Sequence, residues 1–274
     1  MKRLTISPLF LETFERCPLS VMGASFKRTL TPSTFNVLLG QFIASLEAQQ
    51  MMKTLPSLSS LPLHEDILRP AEVIDFANER LEHDEAAAFS VLSERIEREQ
   101  AITSPCVDFD GTPLPLTVEN FHIYLEGPFR DENGRVVNKV TASAVVNTIY
   151  TDHLGRIFLA VRIPTWQDAK DDCICMKRGY HALPLFLLEE LYGVTVTGII
   201  FDFISLDLLA KSCVRRYAVV ADSDTRSKWF RQILSFIRLY RAMTGSRQEL
   251  FLCGDPASCR TCPFSARCRL AYKE

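Results

Sequence analysis

The sequence has no run of eighteen or more apolar residues, so no membrane-spanning helix is expected. Its opening stretch, MKRLTISPLFLETFERC, lacks the apolar centre and the small-residue cleavage site of a secretory leader, which leads to the expectation of an intracellular, cytoplasmic protein. Net charge is nearly absent: 31 Lys and Arg against 33 Asp and Glu give −2. That balance argues against a surface that binds nucleic acid everywhere and leaves room for a local basic face. Internal repeats, low-complexity tracts and an evident interdomain linker are also missing. What remains is globular in composition, 274 residues with 47% hydrophobic and 23% charged, enough to bury a substantial core in one large domain or two small ones.

Cysteine, by contrast, is plentiful. In a reducing compartment nine cysteines do not read as a disulfide framework, and clustered thiols point to metal or redox chemistry. The stretch CRTCPFSARC at 259–268 sets Cys259, Cys262 and Cys268 at C-x2-C-x5-C spacing. A two-residue spacer lets both thiolates of the pair reach one metal, and four such ligands complete a tetrahedral zinc site or a cubane iron–sulfur cluster. The fourth thiol has a local candidate, Cys253, and a distant one, Cys17, which would tie the two ends of the chain together. Free surface thiols are the plain alternative. Cys106, Cys173, Cys175 and Cys213 read as small packed apolar residues, with Cys173-x-Cys175 a weak ligand pair.

The element pattern is mixed. Ser7 followed by Pro8 predicts a helix start, with a stripe of Leu9, Phe10 and Phe14. Thr31 and Pro32 open a second helix carrying Phe35, Leu38, Leu39, Phe42, Ile43 and Leu46 to about Met52. Residues 70–100 read as two polar helices, the second from near Asp84, expected to form a solvent-facing lid or insertion. Strands are predicted at 119–126, 139–150 and 156–163, the last two as a hairpin around TDHLG. A helix at 178–192 ends on Gly193, strands follow in VTVTGIIFDFISL and VRRYAVVA, and a long helix runs from Thr225 to Met243. The expected fold is α/β or α+β, a central mixed sheet flanked by helices in a single domain. The core spans 103–244, a helical insertion 55–102, and the cysteine-bearing lobe 1–30 with 245–274.

The stretch ISPLFLETFERCP, together with the C-x2-C-x5-C tail, resembles RecB-like and CRISPR-adaptation-type PD-(D/E)XK nucleases. Gly40 and Glu47 on the second helix, the strand ending in Glu126, the hairpin and the helix GYHALPLFLLEELYG follow the family's order through nearly the whole chain. The resemblance implies a restriction-endonuclease-like core and a 4Fe–4S cluster held by Cys17, Cys259, Cys262 and Cys268, with Cys253 a spare. It also implies oxygen ligands for magnesium or manganese, a lysine at the attacking water and a histidine on the second helix.

Those catalytic positions are degenerate. The histidine position holds Ala44; the first metal-binding Asp belongs near Val145, and no carboxylate occurs from Lys139 to Tyr150. The second strand reads FLAVRIP, with Ala160 for the acid and Arg162 for the lysine. In the helix that offers Gln and Tyr in the family, only Tyr180 and His181 stand nearby. Asp168 and Lys170 form a literal D-x-K beyond that strand, and they are the rescue candidates with Glu126; Asp152 is a further isolated carboxylate.

The last helix carries Trp229, Phe230, Ile233, Leu234, Ile237 and Tyr240 on one face and Lys228, Arg231, Ser235, Arg238 and Arg241 on the other. Lys211, Arg215, Arg216, Arg226 and Arg247 add to a region whose only acids between 211 and 248 are Asp222 and Asp224. Such a face suits phosphates, although an ordinary exposed helix has the same composition.

The expectation is a catalytically inactive nuclease fold that binds DNA, single-stranded or branched, beside a protein partner such as a helicase or an active nuclease, without catalytic magnesium or manganese. Its nucleic-acid contacts would be Arg215, Arg216, Lys228, Arg231, Arg238 and Arg241. The alternatives are an active metal-dependent DNA exonuclease with a relocated site and a zinc-binding protein-interaction module.

Overall fold

The computed structural model describes residues 4–16, 34–54, 68–99, 106–107, 113–114, 116–131, 134–152, 154–165, 169–207, 209–210 and 213–245. The fold is mixed α and β, with helices and strands interleaved along the chain. Six strands form the main sheet: β1 (Leu4–Ile6), β4 (Leu116–Arg130), β5 (Val136–Asp152), β6 (Ile157–Thr165), β7 (Val196–Ser205) and β8 (Val214–Val220). A small hairpin, β2 (Cys106–Val107) with β3 (Pro113–Leu114), contacts β8.

The long β5 is paired antiparallel to β4 along most of its length, while its other edge is divided. There β1 runs parallel to Val140, Thr141 and Ala142, and β6 pairs antiparallel from Thr151 to Thr148. The hairpin turn between β5 and β6 is closed by Asp152, whose Oδ1 accepts from the backbone N–H of Leu154 and of Arg156, each at 2.9 Å, while Oδ2 accepts from Arg156 Nε at 2.6 Å. Burial raises the Asp152 pKa, but these donors outweigh it and hold the carboxyl below its ordinary value. Val146 and Ile149 both pack into the larger core, so the in–out alternation of β5 slips by one residue between them.

β7 is an interior strand, next to the edge strand β8. It lies parallel to β6 and antiparallel to β8 and is buried on both faces, as its nearly continuous apolar run IIFDFI requires. One face is covered by α1 (Pro8–Arg16), α6 (Leu183–Tyr192) and α7 (Ser223–Gly245) in the larger hydrophobic core. Here Ser7 caps α1 as predicted, its Oγ accepting from Phe10 N–H at 3.1 Å. Phe14 meets Phe236, and Phe10 meets Tyr240, so α1 and α7 pack antiparallel through edge-on rings. Gly193 terminates α6 in the left-handed region at φ 66°, the conformation the helix stop demanded. Gly179, in the short 3-10 turn Gly179–Ala182, lets α7 come close: a Cβ there would lie 2.4 Å from the carbonyl oxygen of Trp229.

α2 (Thr34–Thr54), α3 (Pro70–Arg80) and α4 (His83–Glu99) form a second core with Ile204 and Cys213. This corrects the expectation of a solvent-facing lid at 70–100. Val73, Ala77, Phe89, Leu92 and Ile96 are buried, and Phe89 packs edge-on against Phe35 and Phe42. The two helices are amphipathic; their abundant Glu and Arg occupy one side while small and apolar residues at helical spacing fill the other. Among the described residues no helix is long and apolar enough to cross a membrane.

Candidate functional site

The ladder between β5 and β6 ends at Thr148 opposite Ala160, yet β6 continues to Thr165 alongside β7. The two strands therefore fork after this pair. Arg162, two residues beyond Ala160, sends its guanidinium back across the fork, where Nη2 donates to Thr148 Oγ1 at 2.7 Å. Opposite Arg162 on β7 stands Asp202, and opposite Asp202 on β8 stands Arg216. Arg216 grips the carboxylate bidentately, Nε to Oδ1 at 2.6 Å and Nη2 to Oδ2 at 2.8 Å, while Arg162 Nε lies 4.0 Å from Oδ2. Arg216 also lies over the Tyr150 ring, 5.7 Å from its centroid. The side chains of Arg162, Asp202 and Arg216 are 3, 3 and 7% exposed.

On the same sheet face this trio sits beside the apolar group of Tyr150, Phe158, Ala160, Ile200 and Ala218. Two guanidiniums share one carboxylate, so the three side chains together carry one positive charge in a desolvated place. The arrangement is chemically hostile to a divalent cation, whose oxygen donor would be Asp202, already occupied by a fork of N–H groups. Among the described residues no three His, Cys, Asp or Glu side chains are grouped to hold a metal.

The other expected positions are scattered. Ala44 lies on α2, and Val145 lies on β5 opposite Tyr124, both of the latter pair exposed. Glu126 is exposed on β4 and accepts from the Tyr124 hydroxyl at 3.0 Å; it lines an open groove of about 830 Å³ with Lys139 and Thr141. Lys170 falls in the first turn of α5 (Ala169–Met176), and Asp168 lies outside the described residues. The nearby Asp172 is buried and holds Arg215 at 2.7 and 2.9 Å, which joins α5 to the edge strand β8. Cys173 and Cys175 are two apart on this helix and so point to different sides, Cys173 exposed and Cys175 against the larger core, which corrects their reading as a ligand pair. Cys213 is buried, as expected of a small apolar residue. Cys17, Cys253, Cys259, Cys262 and Cys268 lie outside the described residues, as do Lys211 and Arg247.

Of the predicted nucleic-acid contacts, Arg215 and Arg216 differ from expectation. Adjacent on β8, they project to opposite faces of the sheet, and each is engaged by a buried carboxylate. Arg226 is likewise committed, bridging Glu189 and the carbonyls of Ala221 and Val196. Arg241 turns from the outer stripe towards β5, where it donates to the Asn138 carbonyl. Lys228, Arg231 and Arg238 are exposed on α7. Tyr180 and His181 stand on the 3-10 turn with rings 4.4 Å apart, and burial pushes His181 down to about 3, with Arg178 acting in the same direction.

Sequence reasoning missed Asp202. Its signal was present as the one charge inside the apolar run IIFDFI, where any buried carboxylate must find a cationic partner.

No protein-family model matches the chain, and no curated protein matches it in sequence. Among solved structures it is similar to one described as "Crystal structure of SSO0001", at 11% identity over 86% of each chain with a TM-score of 0.36. That likeness is too distant to carry an argument about fold or activity.

Proposed function

We propose that the protein is a non-catalytic, DNA-binding or scaffolding subunit of a DNA-processing complex, built on a PD-(D/E)XK-type core and stapled by a 4Fe–4S cluster. The observation that carries this reading is the Arg162–Asp202–Arg216 trio at the strand fork. A metal-dependent nuclease needs several hard oxygen donors converging on a cation. Here the fork holds Ala160 and two guanidiniums instead, and the adjoining carboxylate is consumed by ion pairing. The exposed cations of α7 supply what a binding protein needs in place of chemistry.

Support for the cluster comes from the helices that lead to its cysteines. Cys17 directly follows α1, the tail follows α7, and these two helices pack on each other. Between Gly245 and Cys259 lie thirteen residues. At roughly 3.3–3.6 Å each they can return along the length of α7. When bound, such a cluster would act as a covalent clasp between the chain's two ends.

The test is direct. Purified protein incubated with single- or double-stranded DNA and magnesium or manganese leaves the DNA intact. Robust cleavage that Asp168→Ala abolishes overturns the reading in favour of a relocated active site. A brown protein with iron and sulfide in equal amounts supports the cluster, whereas a colourless protein containing zinc removes it.

A further inference from the structure

We propose that the outer face of α7 takes the sugar–phosphate backbone of a nucleic-acid duplex rather than an unstacked single strand. This deepens the reading above and rests on it. Lys228, Arg231 and Arg238 are all exposed on one stripe of the helix, with exposed Ser235 between the arginines. The last cation stands ten positions after the first. At 1.5 Å rise each this is about 15 Å, the run of several successive phosphates on a duplex. Lys228 shares its ammonium with Asp224 at 2.6 Å, an exposed pair that a polyanion displaces at little cost. Among the described residues, the side chains of Arg231 and Arg238 have no carboxylate partner.

The aromatic residues decide which form of nucleic acid fits. Binding of single strands without sequence preference relies on bases stacking on exposed rings. Every ring of α7 turns the other way. Trp229 is buried; Phe230 stacks on Phe129 and meets Phe186; Phe236 meets Phe14; and Tyr240 meets Phe10. The exposed aromatic residues among the described ones, Tyr124 and Tyr192, belong to β4 and α6. Beside the stripe, the Gln232 Oε1 is held by the Gly179 N–H at 2.6 Å, and the Ser235 hydroxyl donates to the Arg231 carbonyl. A face of cations without aromatic platforms matches a regular, dense line of phosphates, which the duplex presents and a flexible strand does not.

The experiment is fluorescence anisotropy with a labelled short duplex of mixed sequence and with each of its component single strands, across a salt series. Three phosphate contacts give a slope of about −2.7 in log K against log salt on the duplex, roughly a forty-fold loss between 50 and 200 mM salt. The duplex is expected to bind more tightly than either strand, and Arg231→Glu with Arg238→Glu to abolish the preference while the melting temperature stays unchanged. If that pair fails to fold, Arg231→Gln with Arg238→Gln lowers the slope to about −0.9. Equal or tighter binding of single strands overturns the duplex inference and leaves nucleic-acid binding standing. Binding of neither form overturns both. A duplex slope untouched by the arginine variants overturns the placement on α7.

Discussion

Arg216 and Asp202 face each other across neighbouring antiparallel strands, and the guanidinium holds both carboxylate oxygens, at 2.6 and 2.8 Å, in the interior of the sheet. Removing one partner of a buried ion pair costs far more than the pair is worth, because the other charge stays behind without water. Here Asp202 serves two arginines. Asp202→Asn is therefore expected to lower unfolding free energy by about 3–5 kcal/mol in urea titration. Adding Arg216→Met to that variant restores part of the loss, and an Asp202→Asn protein as stable as the parent shows that the trio contributes nothing to the fold.

His181 makes stability depend on acid. Its folded pKa, pushed down to about 3, lies below the value near 6.5 of an unfolded chain. Between those values the unfolded state takes up a proton that the folded state refuses, so stability falls as pH drops through that window and is unaffected above it. From pH 7 to 4.5 this one group removes about 2–3 kcal/mol. His181→Phe keeps a ring against Phe201 and abolishes that portion of the slope. Denaturation midpoints of parent and variant measured at both pH values decide it; parallel losses count against the assignment.

Gly179 is the point where the 3-10 turn touches α7, and its N–H donates to Gln232. Gly179→Ala puts a methyl 2.4 Å from the Trp229 carbonyl oxygen, a backbone atom with little freedom to yield. A loss of about 1–3 kcal/mol is expected by thermal melting. Gly193→Asn, where the left-handed conformation suits asparagine, is expected to cost less than the alanine change.

The cysteine proposal makes a matched prediction. Cys17→Ser and Cys262→Ser should each remove the visible colour and lower the melting temperature by similar amounts, while Cys253→Ser should do neither. Colour that survives Cys17→Ser assigns the fourth ligand elsewhere.

The parts of the fold that the sequence disclosed are those whose causes are local. Ser7 caps the helix that opens at Pro8, Gly193 stops another, and the β-rich runs on either side of TDHLG close into a hairpin. The apolar stripe of the last helix faces the core residue for residue. Non-local causes stayed hidden. Three residues, Leu4–Ile6, are too few to show alternation, and become a strand only because β5 leaves an edge beside them. α3 and α4 looked like solvated helices because their many Glu and Arg outnumber the buried stripe of Val73, Ala77, Phe89, Leu92 and Ile96. At the candidate site, Ala160 and Arg162 were legible as departures from a pattern, whereas the link from Asp202 to Arg216 depends on strand register. Arg215 and Arg216 looked alike in sequence, and only the two-residue period of a strand sends them to different carboxylates.

The separation of the apolar cluster among α2, α3 and α4 from the one under α1, α6 and α7 bears on local stability. The second cluster meets the sheet at Ile204, with Leu206, Cys213 and Val214 beside it, and α2 also contacts β4 and β5. Cooperative units tend to follow such boundaries. The expected consequence is that the amide hydrogens of the three-helix layer exchange at a lower free energy than those of β7, which native-state hydrogen exchange measures.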